Sequence, residues 1–279
     1  MSSFNSFKHQ LDSALDLLES SEHVKQLSLP QVLGAQMVDT ESLLNRCDQI
    51  CEKHKKEKPT IRVIQHFACS GGTLISKCIS AMPNVYLLSE VHPYTDLGIG
   101  KGKPKYAPTD IISLTKYAGI PNQRELASKL FRQSITKVNQ HVEGVGGILV
   151  LRDHTHADYC TGVEIPTKSP LIELLEEDYD VIKVATIRDP IDSYSSLVKN
   201  GWVHFEPQTF NEYCRRLLLF LESYNLENLF KYEEFVENPQ EQSRKISKAL
   251  ELPFSEEFED IFGMFTVTGD SGRSSETIS

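Results

Sequence analysis

The sequence predicts an α/β domain in which a mainly parallel central sheet is flanked by helices. From Pro59 onward, short β-branched runs alternate with stretches of helical periodicity. Strands that alternate with helices pair in parallel, because each helix carries the chain back across the sheet. Ligands bind at the carboxyl edge of such a sheet, so the loops that follow the strands are where a site is expected. The expected strands are 60–67, 85–88, 147–151, 181–187 and 228–232, and the expected helices are 73–81, 123–141, 170–177, 192–199, 209–224 and 239–250.

Residues 1–57 are predicted to form a helical N-terminal extension. Leu11, Leu15 and Leu18 recur at helical spacing, and the segment ends in the charged run 52–58. We expect this extension to pack against the core or against a second subunit, as in a homodimer formed through these helices. We expect no catalytic role for it. The expected organisation is therefore the extension at 1–57 and a catalytic domain at 58–279.

Composition and charge narrow the function classes. The chain has 279 residues and a formal net charge of −10, and a net negative field repels nucleic acid and anionic membranes. An anionic ligand must then be held by local donors. No run of 18 apolar residues occurs, and the first residues are acidic and amphipathic where a signal peptide would be basic and then apolar, so we expect a cytoplasmic protein. The six cysteines have irregular spacing and no CxxC pair, which indicates reduced thiols and no metal site.

A glycine-rich turn follows the first expected strand. Strand 61–67 leads into the segment that contains Ser70, Gly71, Gly72 and Thr73, and a helix comes next. Glycines between a buried strand and a helix start let backbone N–H groups converge on an anion at the positive end of the helix dipole. The turn lacks the lysine that follows the last glycine in the GxxxxGK[ST] loop of nucleoside triphosphatases.

A second loop with anion-binding character follows strand 181–187. Arg188 is expected at the carboxyl end of this strand, Pro190 ends the strand, and Asp192 is predicted to cap the next helix, which also carries Ser196. The planar guanidinium offers a fork of donors that matches a phosphate group.

Together, these loops resemble the two phosphate loops of the sulfotransferase family, whose donor is 3′-phosphoadenosine-5′-phosphosulfate (PAPS). The resemblance implies a P-loop α/β fold of three layers, transfer of a sulfuryl group to an acceptor hydroxyl, and 3′-phosphoadenosine-5′-phosphate (PAP) as product. In that family, Ser-Gly-x-Thr forms the 5′-phosphosulfate loop, while Arg, Pro and a Ser eight residues after the Arg form the 3′-phosphate loop. The residues implied are Ser70, Gly71, Gly72 and Thr73 for the 5′-phosphosulfate, and Arg188 and Ser196 for the 3′-phosphate.

Two further segments resemble the family. Residues 229–239 are similar to its Tyr-Glu-x-x-x-x-x-Pro unit, which implies that Tyr232 lies near the adenine. Residues 268–274 resemble its C-terminal loop, so Gly272 and Arg273 are implied as second contacts to the 3′-phosphate. A disordered terminus is the alternative account of that tail.

The third expected strand delivers Arg152 and His154 to the same edge, and this segment resembles the family's Lys-x-His segment. His154 is implied as the general base, since a neutral imidazole can accept a hydroxyl proton at neutral pH. The alternative is that His154 and His156 are surface or loop-packing residues and that Asp153 orients one of their rings. Glu90, after the second strand, is the competing base, and His92 beside it is a further candidate.

Cys69 departs from the family, which has a basic residue just before Ser-Gly. The missing cation has three expected substitutes: Arg152, Lys77 or a lysine of the mobile loop at 101–105. Two other functions stay open: a kinase-like phosphotransferase and a nucleotide-binding protein that binds PAP without turnover, the second because of Cys69 and the helical N-terminal extension. The missing P-loop lysine, and the lack of an acidic magnesium partner after any strand, count against the kinase.

The acceptor is left open by the sequence, with carbohydrates and other hydroxyl-bearing small molecules as the expected classes. The aromatic residues Trp202, Tyr194, His204 and Phe205 either line an acceptor pocket or belong to the core.

Overall fold

The structure, a computed structural model, describes residues 58–95, 106–269 and 278. The strands are β1 Thr60–His66, β2 Val85–Val91, β3 Ile148–Asp153, β4 Thr161–Gly162, β5 Asp180–Ile187, β6 His204–Phe205 and β7 Leu229–Lys231. The helices are α1 Gly72–Ser80, α2 Ile111–Tyr117, α3 Gln123–Gly144, α4 Thr155–Tyr159, α5 Pro170–Leu175, α6 Pro190–Lys199, α7 Phe210–Leu221, α8 Tyr232–Glu237, α9 Pro239–Ala249 and α10 Phe258–Ile261. Short 3₁₀ turns lie at Leu226–Asn228 and Phe262–Met264.

The central sheet has five strands in the order β2-β3-β1-β5-β7, and all its pairings are parallel. Strand β1 is the middle strand, and its register with β5 runs from Thr60 beside Asp180 to His66 beside Thr186. Crossover helices cover both faces, which explains why five of the seven residues of β1 are buried. This architecture confirms the predicted α/β fold class.

The core lies on both faces of this sheet. Ile64 packs on one face with α1 and α9, whereas Ile61 and Val63 pack on the other with α3 and α5. This alternation follows from the two-residue period of a strand. A third cluster, around Phe67 and Phe220, lies where β1 ends and supports the loops of the carboxyl edge from below.

The boundaries of the predicted elements fall within three residues of the observed ones, but the predicted cap of α6 is not the observed one. The helix begins at Pro190, and its cap is Asp189, whose carboxylate accepts hydrogen bonds from the backbone N–H groups of Ile191 and Asp192. The prediction that Asp192 caps this helix was therefore wrong. Proline suits the first helical position, where no N–H donor is needed, so the cap precedes it.

Several predicted features lie outside the described residues. These are the N-terminal extension at 1–57, most of the loop at 98–108, and the two implied nucleotide contacts Gly272 and Arg273. Within the described ranges, no helix is long and apolar enough to cross a membrane. In the same ranges, no group of three or more His, Cys, Asp or Glu side chains is arranged to hold a metal ion.

Candidate functional site

The glycine-rich turn connects the end of β1 to the start of α1 through two residues with left-handed backbone. Cys69 has a φ of 61° and Gly71 a φ of 75°. A Cβ on Gly72 would lie 2.7 Å from Cγ of His66, so the loop passes over the histidine ring only because this position is glycine. Among the described residues, no side chain caps the N-terminus of α1. Its first-turn N–H groups are therefore left for an anion.

A buried polar network holds this turn from below. Nδ1 of His66 lies 2.5 Å from Oγ1 of Thr186, and Nε2 lies 3.0 Å from Oγ of Ser76. Ser70 Oγ lies 3.2 Å from the same Thr186 hydroxyl. Burial, together with the charge of Arg152, holds the pKa of His66 well below its ordinary value. The ring is thus neutral at neutral pH and acts as a hydrogen-bonding support for the loop.

The second loop follows β5 and presents Arg188. Its guanidinium lies 5.1 Å from the ring centroid of Tyr232, and Nη2 lies 3.5 Å from a carboxylate oxygen of Asp192. The Nε atom of Arg188 is buried and has no hydrogen-bond partner within the described part of the chain. A buried donor of this kind is costly to leave unpaired, so it marks a position where an acceptor from a ligand fits.

Both loops border one cavity of about 800 Å³, which is within the size range of small-molecule sites. Ten of the predicted nucleotide-binding and catalytic residues line this cavity: Ser70, Gly71, Gly72, Thr73, Glu90, Arg152, His154, Arg188, Ser196 and Tyr232. The sheet order explains this, because β1, β3 and β5 are adjacent and their carboxyl ends meet at one edge. The binding and catalytic roles of these residues stay predictions.

Glu90 and His154, expected as alternative bases, form a single hydrogen-bonded pair between Glu90 Oε2 and His154 Nδ1. Arg152 Nη2 lies 2.5 Å from the other carboxylate oxygen of Glu90. Burial raises the pKa of Glu90, but the hydrogen bond with His154 and the charge of Arg152 outweigh it, so the pKa is below its ordinary value. The carboxylate stays ionised and holds Nδ1, which leaves Nε2 of His154 as the nitrogen for proton transfer.

The neighbouring acidic and histidine residues have other roles. His92 accepts hydrogen bonds at Nδ1 from two backbone N–H groups, and its Nε2 lies 2.9 Å from a carboxylate oxygen of Asp158. Both ring nitrogens are engaged and His92 does not line the cavity, so it is a structural residue. Asp153 Oδ2 accepts hydrogen bonds from Gln65 at 2.5 Å and Ser169 at 2.7 Å. The hypothesis that Asp153 orients a histidine ring was therefore wrong, and Glu90 does so instead.

The cavity also brings together the expected substitutes for the missing loop cation. Cys69, Arg152 and Lys77 all line it, and the Lys77 side chain is buried. Arg152 is held by Glu90, by Ser89 Oγ at 3.1 Å and by a backbone carbonyl. The lysines at 101–105 lie outside the described residues.

Gly269 lines the cavity, although the sequence analysis, which included it in the tail 268–274, did not single it out. Its carbonyl accepts a hydrogen bond from Thr73 Oγ1 at 3.3 Å, and a Cβ at this position would lie 2.5 Å from Oε1 of Glu90. Thr268 anchors the segment, because its hydroxyl donates to the carbonyl of Ser89 at 2.6 Å. The available sequence signal was the Thr268-Gly269 pair at the start of the tail 268–274. Nothing local in the sequence indicated which strand this pair contacts.

The predicted acceptor aromatics divide into two groups. Trp202 and His204 line the cavity. Phe205 is buried in the core beneath the guanidinium of Arg216, and the hydroxyl of Tyr194 donates to the carbonyl of Gln208. The core alternative is thus right for Phe205, and Tyr194 does not line the cavity either.

No protein-family model matches the sequence, and a search of curated proteins found no match. Among solved structures, the chain is similar to the sulfotransferase domain from the curacin biosynthetic pathway, with 16% identity, 77% of this chain and 82% of that chain covered, and a TM-score of 0.50. The sulfotransferase domain from the Synechococcus PCC 7002 olefin synthase has 14% identity, coverage of 81% and 87%, and a TM-score of 0.47. A sulfotransferase from Mycobacterium tuberculosis has 14% identity, with 84% of this chain and 79% of that chain covered, and a TM-score of 0.38. This likeness is one of backbone architecture, and the chain accordingly has the sulfotransferase fold.

Proposed function

We propose that this protein is a sulfotransferase that uses PAPS as donor and transfers its sulfuryl group to an acceptor hydroxyl. The observation that carries the proposal is the placement of two anion-binding loops at one cavity, with the Glu90–His154 pair lining the same cavity. A nucleotide that carries phosphate groups at both its 5′ and its 3′ position fits two such loops.

The residues present suit such a nucleotide. The first-turn N–H groups of α1, with Ser70 and Thr73, offer donors to the 5′-phosphosulfate. Arg188 has a buried Nε without a partner in the described part of the chain, and this atom suits the 3′-phosphate. The ring of Tyr232 lies against Gly71 and 5.1 Å from the Arg188 guanidinium, where it would supply an aromatic contact for the adenine.

His154 would act as the general base. Its Nε2 takes the proton of the acceptor hydroxyl as the new oxygen–sulfur bond forms and the sulfur–oxygen bond to the 5′-phosphate breaks. Glu90 keeps Nδ1 hydrogen-bonded and stabilises the imidazolium that results. Lys77 and Arg152, which line the cavity, are the described cations that can offset charge on the leaving phosphate.

Ligand-dependent thermal unfolding tests the donor class. At 100 times its dissociation constant, PAP should stabilise the protein by about 2.7 kcal/mol, which is a rise of several degrees in Tm. ATP with Mg²⁺ should give no comparable rise. A shift with ATP and Mg²⁺ alone would support the kinase-like alternative and overturn the proposal.

A turnover assay tests the chemistry. His154→Ala should lower kcat about 10²- to 10⁴-fold with the PAP-induced Tm shift unchanged. His141→Ala is the matched control, since His141 is exposed on α3 and should leave kcat at the wild-type value. PAP binding without PAPS turnover on any hydroxyl acceptor would support the non-catalytic alternative.

A further inference from the structure

A row of aromatic rings extends from the catalytic pair along one wall of the cavity. The ring centroids of His154 and His156 are 6.3 Å apart, and those of His156 and His204 are 5.7 Å apart. Trp202 precedes His204 by two residues and lines the same cavity. None of these four residues belongs to the two proposed phosphate loops. This row, which we call the histidine wall (His154, His156, Trp202 and His204), is therefore a surface available to an acceptor next to the base.

The four residues of the histidine wall include no carboxylate, ammonium or guanidinium group. The segments 154–156 and 202–204 contain no Lys, Arg, Asp or Glu. Burial, with added contributions from His154 and His204, lowers the pKa of His156 to about 4. Arg152, whose partner Glu90 also binds His154, is already paired with that carboxylate. An anionic acceptor would therefore lose its hydration here without a lysine or arginine partner from the wall itself, which disfavours it.

The chemistry of this wall combines one apolar face with several polar atoms. Trp202 is 40% exposed, so part of its indole is available for stacking. A neutral imidazole has one nitrogen that donates and one that accepts a hydrogen bond. A ring with an apolar face and several hydroxyl groups matches both features. A simple phenol has a single hydroxyl. Because that hydroxyl would react at His154, the other imidazoles would be left without hydrogen-bond partners.

A buried arginine holds the wall in place. Arg216 on α7 is fully buried, and it donates to the carbonyls of Tyr159 and Thr161 at 3.2 Å each and of Gly162 at 2.8 Å. Its guanidinium also lies 4.6 Å from the ring centroid of Phe205. It thereby fixes the end of α4, which carries His156, to strands β4 and β6, the latter of which begins with His204. A wall fixed this way is preorganised for a ligand.

On these grounds, we propose that His156, Trp202 and His204 form the acceptor subsite and that its ligand is a neutral sugar, which stacks on Trp202 and shares hydrogen bonds with the two imidazoles. This inference rests on the proposed function, because it assigns the second substrate of the same reaction.

Trp202 is the single tryptophan of the chain, so its fluorescence reports on this subsite directly. The full chain, saturated with PAP, is titrated with a panel of neutral methyl glycosides, with the matching methyl uronides, which carry a carboxylate, and with phenol. We expect a saturable fluorescence change with at least one neutral glycoside and about tenfold weaker binding of its uronide. His204→Ala should weaken the glycoside response, and Leu226→Ala, at an exposed position outside the cavity, should leave it unchanged.

Turnover gives a second readout. Trp202→Ala should raise KM for the glycoside about 2- to 10-fold, the effect of losing one aromatic contact, whereas Trp202→Phe should largely restore it. The PAP-induced Tm shift must be present in both variants. If PAP binds but no neutral glycoside changes the fluorescence, or a phenol or uronide is preferred, the acceptor inference is wrong and the donor proposal stands. If PAP does not bind, the proposed function itself fails.

Discussion

Gly71 lies directly against the ring of Tyr232: a Cβ built on Gly71 would be 2.2 Å from Cδ2 of that ring. The same ring faces the Arg188 guanidinium at 5.1 Å. The pairing of β5 with β7 sets Ile187 beside Lys231, so the residues that follow each strand are neighbours. Tyr232 therefore contacts both the loop after β1 and the loop after β5, and the space between them depends on the absence of a side chain at position 71.

We expect Gly71→Ala to abolish the PAP-induced Tm shift, because the new methyl group would displace Tyr232 and the loop with it. The matched control is Gly119→Ala. Gly119 has a φ of 65°, close to the 75° of Gly71, but a Cβ there meets nothing within 4 Å. Both variants carry similar backbone strain, roughly 1–2 kcal/mol, and only the first should lose PAP binding. A Gly71→Ala protein that binds PAP as tightly as wild type would contradict this account of the loop.

Arg188→Lys should weaken PAP binding about 10- to 100-fold. Lysine keeps the positive charge but lacks both the planar fork and the Nε donor, and hydrogen bonds to charged groups contribute about 1.5–3 kcal/mol. Isothermal titration calorimetry with PAP measures the change.

Arg244→Lys is the control for this substitution. Arg244 also pairs with a carboxylate, Glu256, at 2.7 Å and lies 4.3 Å from the ring centroid of Phe254, but it does not line the cavity. Equal PAP affinity in both variants would remove Arg188 from the nucleotide site.

The loops were predictable from sequence because their signals are local. A glycine pair after a buried strand, or an arginine with a proline two residues later, predicts a loop from local sequence alone. The prediction does not depend on which other segments that loop contacts in the fold. Adjacent parallel strands then bring such loops to one edge without further information. For this reason the predicted residues around Gly71 and Arg188 line one cavity.

The pairing of Glu90 with His154 was not predictable, because it depends on register. The pairing of β2 with β3 is irregular between Leu88 and Val91, and Glu90 has a φ of 59° within this interruption. A bulge redirects a side chain, and it arises from how two strands meet rather than from one segment's pattern. The β4–β6 pair, with two residues in each strand, is too short to leave a periodic signal.

Arg216→Met should lower the free energy of unfolding by about 3–5 kcal/mol, because it leaves three backbone carbonyls without this donor and breaks the ion pair between the buried guanidinium and Glu212 at 2.8 Å. The expected fall in Tm is on the order of 10 °C. Arg215→Met is the control: the neighbouring Arg215 pairs with the same Glu212 at 2.7 Å, but it is exposed, and such pairs contribute about 0–1 kcal/mol. Similar losses in both variants would show that the buried contacts of Arg216 contribute little.

Asp153→Asn should change the pH dependence of stability. Burial first, and the charge of Asp158 second, raise the pKa of Asp153 to about 7 against the lowering effects of Ser169, His92 and Gln65. In the unfolded chain this pKa is about 3.9. Between these values the folded state binds more protons than the unfolded state, so this group makes stability fall as the pH rises from about 4 to about 7.

The asparagine variant cannot ionise, so this contribution disappears. The free energy of unfolding of Asp153→Asn minus that of wild type should be larger at pH 8 than at pH 5, as measured by urea unfolding at both pH values. Asp178→Asn is the control of opposite sign, because hydrogen bonds from Arg132 hold the pKa of Asp178 below its ordinary value. The stabilisation that ionised Asp178 contributes is complete above the pKa that this group has in the unfolded chain. Asp178→Asn should therefore lower the free energy of unfolding by the same amount at pH 5 and at pH 8. If the difference between wild type and Asp153→Asn is likewise the same at both pH values, then Asp153 is ionised throughout that range and its carboxylate is stabilised by more than the hydrogen bonds described above.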